Sequence, residues 1–175
     1  MTDGATDGAT DYAGELASLH ADLRELGATV AVAESLTGGL LAAALTATPG
    51  ASATVRGGLV VYATDLKASL AGVSTHLLEE RGAVDPDVAL ALARGARTRL
   101  GATYGLGVTG VAGPDPQDGK PVGTVFLALA GPDDETVAER TFTGDRAAIR
   151  AGAVAATLDV LKRECASAIT ALRSL

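Results

Sequence analysis

Val32-Ala33-Glu34-Ser35-Leu36-Thr37-Gly38-Gly39 lies between two apolar runs, Val30 to Ala33 before it and Leu40 to Leu45 after it. The second run is built of helix-forming residues. A polar, glycine-bearing turn between the runs makes the stretch a strand, a tight turn and a helix. At such a turn, unpaired backbone N–H groups and the helix dipole favour negative charge. Gly38 and Gly39 allow the backbone to approach a bound group closely. Ser35 is therefore a candidate nucleophile, with an oxyanion or phosphate site around it. A plain helix cap by Ser35 or Thr37 is the alternative reading of these residues.

Upstream of this stretch, Tyr12, Leu16, Leu19, Leu23 and Leu26 recur at spacings of one helical turn, and Gly27 closes the pattern. Residues 1 to 11 carry the direct repeat Thr2-Asp3-Gly4-Ala5 and Thr6-Asp7-Gly8-Ala9. Their small polar side chains bury too little to order a segment, so a flexible tail is predicted.

Downstream, Gly57 to Ala63 reads as a buried strand, and Thr64-Asp65 as the cap of a helix that contains Lys67. Ser74 to Glu80 predicts a short helix. Asp85-Pro86 opens another, with Val88, Leu92 and Ala96 on one face and Arg94, Arg97 and Arg99 on a solvated one. Thr103 to Val108 is an apolar strand that runs into Thr109-Gly110-Val111-Ala112-Gly113-Pro114 and a polar loop. Val122 to Ala130 and Glu135 to Phe142 pair as a hairpin. Gly144-Asp145 starts a long final helix with Val154, Leu158, Leu161, Cys165, Ala168 and Leu172 as its buried stripe.

Strands alternating with helices, closed by a hairpin, predict a single α/β domain of three-layer type over residues 12 to 175, a mixed sheet with helices packed on it. A chain of 175 residues suits one domain. Hydrophobic residues make up 47% but aromatics only 3%, so the core must be Ala, Val and Leu, packed closely. The formal net charge of −7 argues against broad binding to nucleic acid or an anionic membrane. A lone cysteine rules out an internal disulfide framework and suits a reducing compartment. With no signal-peptide pattern and no apolar stretch near the roughly 20 residues of a membrane helix, a cytoplasmic protein is expected.

Three loops leave strand ends: around Ser35, around Tyr62 to Lys67, and around Thr109 to Lys120. In open α/β sheets ligands collect at that edge, so the three can line one pocket. A serine nucleophile needs a base. His20 and His76, the two histidines, fall on helices away from that edge, which disfavours a Ser–His–Asp triad. Lysine is the remaining candidate, and burial lowers its pKa toward neutrality. A solvated helix lysine is the plainer reading of Lys67 on spacing alone. One Cys and two scattered His do not furnish a zinc site, and no metal or organic cofactor is expected. Asp115 and Asp118 fit a solvated loop. Gly107 to Gly113 matches neither a P-loop nor a dinucleotide fingerprint, although it could present N–H groups to a phosphate. Cys165 sits on an apolar stripe and reads as inert core.

Taken in order, Ala33-Glu34-Ser35-Leu36-Thr37-Gly38-Gly39, Gly57-Gly58-Leu59-Val60-Val61-Tyr62, Lys67 to Val73, Val108 to Pro114, Lys120-Pro121-Val122-Gly123-Thr124-Val125 and Phe142-Thr143-Gly144-Asp145-Arg146 closely resemble the C-terminal domain of the competence/damage-inducible protein CinA. The resemblance spans nearly the whole chain from about residue 12. Standalone members of that family are nicotinamide-nucleotide amidases, which hydrolyse nicotinamide mononucleotide to the acid and ammonia in pyridine nucleotide recycling. The resemblance implies Ser35 as nucleophile, Lys67 as its base and Tyr62 beside them. It further implies that Glu34, Thr37, Gly38, Gly39, Thr109 and Gly110 lie at the acyl centre or ligand, with N–H groups of Thr37 to Gly39 holding the oxyanion. Arg146 and Lys120 are the candidates for the substrate phosphate. A small-molecule nucleotide substrate and a homo-oligomer, most simply a dimer, are expected. The alternative is a non-catalytic nucleotide-binding or partner-binding member. Leu36 stands where the family usually has cysteine, and Ala63-Thr64-Asp65 where Ser-Asn-Glu is commoner. Larger CinA proteins carry an N-terminal molybdopterin-binding-like domain for which this sequence has no room, so that domain's activity is not expected.

Overall fold

The computed structural model describes residues 7 to 174, with side chains from Ala13 onward. Helix α1 (Asp7–Glu25) leads into strand β1 (Val30–Glu34), helix α2 (Leu40–Thr46), a 3-10 turn (Ala51–Ala53) and strand β2 (Val55–Val60). Helices α3 (Thr64–Ser69), α4 (Thr75–Arg81) and α5 (Pro86–Leu100) follow. Strands β3 (Tyr104–Gly110), β4 (Thr124–Ala130) and β5 (Glu135–Thr141) then precede helix α6 (Arg146–Leu172).

The five strands form one sheet in the order β2-β1-β3-β4-β5. β1 is parallel to β2 and β3, whereas β3/β4 and β4/β5 are antiparallel. The fold is thus α/β, with a mixed sheet between two helical layers. Period-two alternation sorts the side chains between them. Val30 and Val32 of β1, with Leu106 and Val108 of β3, face α1, α2 and α6. Ala31 and Ala33 face α5, which buries Val88, Leu92 and Ala96 against them. Small residues thus lie under α5. A Cβ on Gly105 would sit 2.0 Å from the Ala93 carbonyl oxygen, and one on Gly107 2.1 Å from that of Ala89. This contact is the physical content of the small-residue composition.

Four sequence expectations need correction. β2 is an edge strand with alternating half-buried and exposed residues, not a buried one, and Val60 is 45% exposed. Helix α3 is preceded by Ala63 as N-cap, with no side-chain cap bond from Thr64 or Asp65. Ile169 completes the buried stripe of α6 where Ala168 and Leu172 were expected; Leu172 is 51% exposed. Helix α1 starts at Asp7, so residues 7 to 11 are its first turn. The rest of the expected tail, residues 1 to 6, and the Tyr12 side chain lie outside the described residues. No helix among the described residues is long and apolar enough to cross a membrane.

Candidate active site

β1 lies at the centre of the parallel part of the sheet, and the chain leaves it first toward β2 and later returns on its other side as β3. The point where the connections diverge leaves a crevice beyond the ends of β1 and β3. A cavity of about 110 Å³ occupies it. Ser35 and Leu36 line it from the β1 turn, Tyr62 and Lys67 from the β2 end, and Thr109 to Gly113 from the β3 end. Asp115, Gln117 and Arg146 complete the rim, with Val84 beneath. All three loops read from the sequence therefore meet at one place.

The turn that carries Ser35 is held from both sides. Ser35 N–H donates to the Val108 carbonyl oxygen at 3.0 Å, which extends the β1/β3 ladder by one bond. Gly38 N–H donates to the Ser35 carbonyl oxygen at 3.1 Å. Gly38 and Gly39 have φ of 58° and 98°, a left-handed region that side chains resist. Glycine is needed here for backbone shape. Glu34 is fully buried, and its carboxylate accepts N–H groups from Gly39 (3.1 Å), Leu41 (3.0 Å) and Ala42 (2.9 Å). It satisfies the orphan donors at the start of α2. This is a structural task rather than the ligand contact expected of Glu34, and it also engages Gly39 N–H. The N–H groups of Leu36 and Thr37 have no acceptor among the described residues. Gly38 and Gly39 N–H are thus already engaged, and those of Leu36 and Thr37 are the ones left open at this turn. Thr37 is itself fully buried, and its Oγ1 has no hydrogen-bond partner.

Lys67 is 1% exposed although it sits on a short surface helix. Its Nζ donates to the carbonyl oxygens of Val61 (2.9 Å) and Tyr62 (3.3 Å). Burial pulls its pKa from 10.5 down to about 8, against the opposing pull of the Asp118 and Asp65 carboxylates. A neutral amine has two N–H donors and one lone pair. The two carbonyls can take both donors, and the amine lines the same cavity as Ser35. Among the described residues, no hydrogen bond joins Nζ to Ser35 Oγ. Such contacts are commonly long before substrate binds.

Around this pair, Thr109 Oγ1 donates to the Ala83 carbonyl oxygen at 2.7 Å. Asp118 Oδ2 accepts from Ala83 N–H (2.7 Å) and Val84 N–H (3.1 Å), which ties the loop over the cavity to the start of α5. The spacing of Asp118 in the sequence gave no sign of this. Arg146 reaches from α6 to the Gly113 carbonyl oxygen and to Tyr62 Oη, both at 2.7 Å. Tyr62 is 57% exposed at the rim. Lys120 lies elsewhere, with its Nζ 5.7 Å from the Phe126 ring centre and outside the cavity lining. Arg150, one turn after Arg146, was not singled out by the sequence. Its guanidinium donates to the carbonyl oxygens of Leu36 (3.0 Å) and Thr37 (2.9 Å).

Both histidines take the structural roles expected of them. His20 is fully buried between Thr54 Oγ1 (2.7 Å) and the Leu45 carbonyl oxygen (2.9 Å), and His76 is exposed beside Glu80. Cys165 is buried, its thiol pKa pushed up to about 12 by desolvation, which keeps it unreactive. Among the described residues, no group of three or more His, Cys, Asp or Glu is arranged to hold a metal ion.

The family model for the CinA C-terminal domain matches residues 15–165. A CinA-like protein from Frankia casuarinae is 56% identical over 141 residues, covering 81% of this chain and 33% of the relative. One from Acidobacterium capsulatum is 52% identical over 138 residues, covering 78% and 33%. The chain thus spans about a third of the length of these relatives. Among solved structures, a competence/damage-inducible protein from Agrobacterium tumefaciens superposes with a TM-score of 0.83 at 37% identity, covering 93% of this chain and 98% of that one. A CinA superfamily protein from Klebsiella pneumoniae gives 0.85 at 30%, covering 89% and 98%.

Proposed function

The chain belongs to the CinA C-terminal domain family, and from that premise we propose that its cavity hydrolyses a carboxamide by serine acyl transfer, with nicotinamide mononucleotide as substrate. The observation that carries this reading is Lys67. A fully buried amine, held by two carbonyls and depressed toward neutrality, opens on the same small cavity as a serine hydroxyl. Burying a lysine without a carboxylate partner is costly, and such groups concentrate where chemistry uses them.

In the proposed reaction, neutral Lys67 accepts the proton of Ser35 Oγ as the oxygen attacks the carboxamide carbon. Leu36 N–H, next to the nucleophile and on the cavity wall, takes the developing oxyanion, with Thr37 N–H beside it. The tetrahedral intermediate collapses as the Lys67 ammonium returns the proton to the departing nitrogen, releasing ammonia. A water, deprotonated by Lys67, attacks the ester carbonyl and frees the acid and Ser35. No step needs a metal or an organic cofactor.

The test is ammonia release from nicotinamide mononucleotide by the wild-type protein and by Ser35→Ala. Turnover by the first and at least a thousandfold loss in the second (about 10³ or more by analogy with removing a triad member) supports the reading. Tight nucleotide binding without turnover by the wild type would instead make the chain a regulatory or partner-binding member.

A further inference from the structure

We propose that Arg150 is a positioning residue for the oxyanion donor, clamping the peptide planes on the far side of Leu36 so that Leu36 N–H stays aimed into the cavity; the proposal rests on the acyl-transfer reading. Arg146 and Arg150 are one helical turn apart on α6 and project toward the same edge of the sheet. Arg146 spans the cavity mouth, while Arg150 reaches behind the nucleophile turn. Its Nε donates to the Leu36 carbonyl oxygen at 3.0 Å and its Nη2 to that of Thr37 at 2.9 Å. The planar fork of a guanidinium matches two successive carbonyls in a way that an ammonium does not.

The consequence follows from peptide planarity. Leu36 is flanked by two peptide units. The one before it is fixed because the Ser35 carbonyl oxygen accepts Gly38 N–H. The one after it is fixed by Arg150 at the Leu36 carbonyl. Leu36 N–H shares the plane of the Ser35 carbonyl, which Gly38 N–H holds. Gly38 N–H shares the plane of the Thr37 carbonyl, which Arg150 holds in turn. With Leu36 itself buried, the N–H direction of Leu36 is set through Arg150. A guanidinium on the Leu36 carbonyl also polarises the same peptide's N–H at Thr37, since cooperative hydrogen bonds strengthen one another. Among the described residues Arg150 donates only to these carbonyls, so no carboxylate neutralises its charge at the turn. Gly38 belongs to this device, since a Cβ there would lie 3.3 Å from Arg150 Nη2.

The experiment uses a fluorophosphonate, whose phosphorus bonds to Ser35 Oγ as fluoride leaves and Lys67 takes the proton. Labelling is followed by intact mass for wild type, Arg150→Ala, Arg150→Gln and Arg150→Lys, with kcat, KM and thermal melts measured in parallel. Direct loss of an oxyanion donor costs about 10²–10³ in rate, so loss of its support should slow labelling and kcat of Arg150→Ala by about tenfold or more. KM should stay within about threefold, because the interaction is made in the transition state. Arg150→Lys keeps the charge but not the fork and should recover part of the rate. Labelling of folded Arg150→Ala or Arg150→Gln at the wild-type rate overturns the proposal. So does a loss confined to KM, or one accounted for by the unfolded fraction in the melts. Absence of Ser35 labelling in the wild type overturns the acyl-transfer reading and this proposal with it. Labelling without turnover of nicotinamide mononucleotide removes only the substrate assignment, and the labelling rates still judge Arg150.

Discussion

Lys67 Nζ donates to the carbonyl oxygen of Val61 at 2.9 Å. The strand end that supplies the carbonyl is itself pinned, because Val61 N–H donates to the Glu34 carbonyl oxygen at 2.8 Å. One peptide chain of bonds thus links the sheet to the amine. Its consequence is a lysine that the fold can place but can scarcely hydrate.

The first prediction concerns rate. Lys67 is active as a base only when neutral, and its pKa is lowered to about 8. The value of kcat/KM should therefore rise about tenfold per pH unit from about pH 6 and level off above about pH 8. Ammonia release across that range measures it. A flat profile would remove Lys67 from proton transfer.

The second concerns stability. The depressed pKa means that the unfolded chain binds the Lys67 proton more tightly than the native one. Below about pH 8 both states are protonated and the full cost of burying the ammonium is present; above 10.5 neither is. Between these limits the wild type should gain stability relative to Lys67→Met, by on the order of 3 kcal/mol. Chemical denaturation at pH values across that window reads the difference. A constant offset would mean that Lys67 is not desolvated in solution.

A third prediction separates Glu34 from the ligand. Its two carboxylate oxygens accept three N–H groups at the start of α2. In Glu34→Gln one oxygen becomes an NH2 that faces a donor. The loss should be about 2 kcal/mol, the range of hydrogen bonds to charged groups, seen as a lower urea midpoint at unchanged m. A change below about 0.5 kcal/mol would contradict the capping role.

The fourth addresses the layer under α5. In Gly107→Ala the new Cβ would meet the Ala89 carbonyl oxygen at 2.1 Å and Ala93 N at 2.6 Å. Both obstacles are backbone, so the cost should reach about 3 kcal/mol or more, the upper end of overpacking. Gly14→Ala on the exposed side of α1 meets nothing within 4 Å and should stabilise by up to about 1 kcal/mol. Equal melting temperatures for the two variants would refute the close approach.

How far the sequence could be read follows from where its signals are local. The turn at Ser35, the helix start at Asp85-Pro86 and the hairpin around Gly131 are written in adjacent residues, and each lies where expected. The edge position of β2 was not legible, because its Val and Leu content is that of any strand and only pairing partners reveal an edge. Glu34 was misread for a related reason. Its acceptor role depends on N–H groups up to eight residues onward, presented by a helix that must already be in place. Arg150 had a usable signal: one turn after Arg146, it had to share that residue's face of α6. The loop bearing Lys120 offered none, since its path depends on Asp118 accepting N–H groups from Ala83 and Val84, which are remote in sequence.

The last prediction assigns the phosphate contact, for which the sequence offered two cations. Arg146 lines the cavity rim and spends donors on Gly113 and Tyr62, yet a guanidinium has five, and the residue is exposed. Lys120 lies against the Phe126 ring, outside the lining. Charge-assisted bonds contribute about 1.5–3 kcal/mol, so Arg146→Ala should raise KM for nicotinamide mononucleotide by about tenfold to a hundredfold. The riboside, which has the same carboxamide but no phosphate, should show little change. Lys120→Ala should leave both constants within about twofold, as expected for a side chain remote from the cavity. An Arg146→Ala effect of equal size on mononucleotide and riboside would mean that the residue serves only to brace Tyr62 and the Gly113 loop. A selective effect of Lys120→Ala on the mononucleotide would mean that the loop carrying it swings over the cavity when the nucleotide is bound.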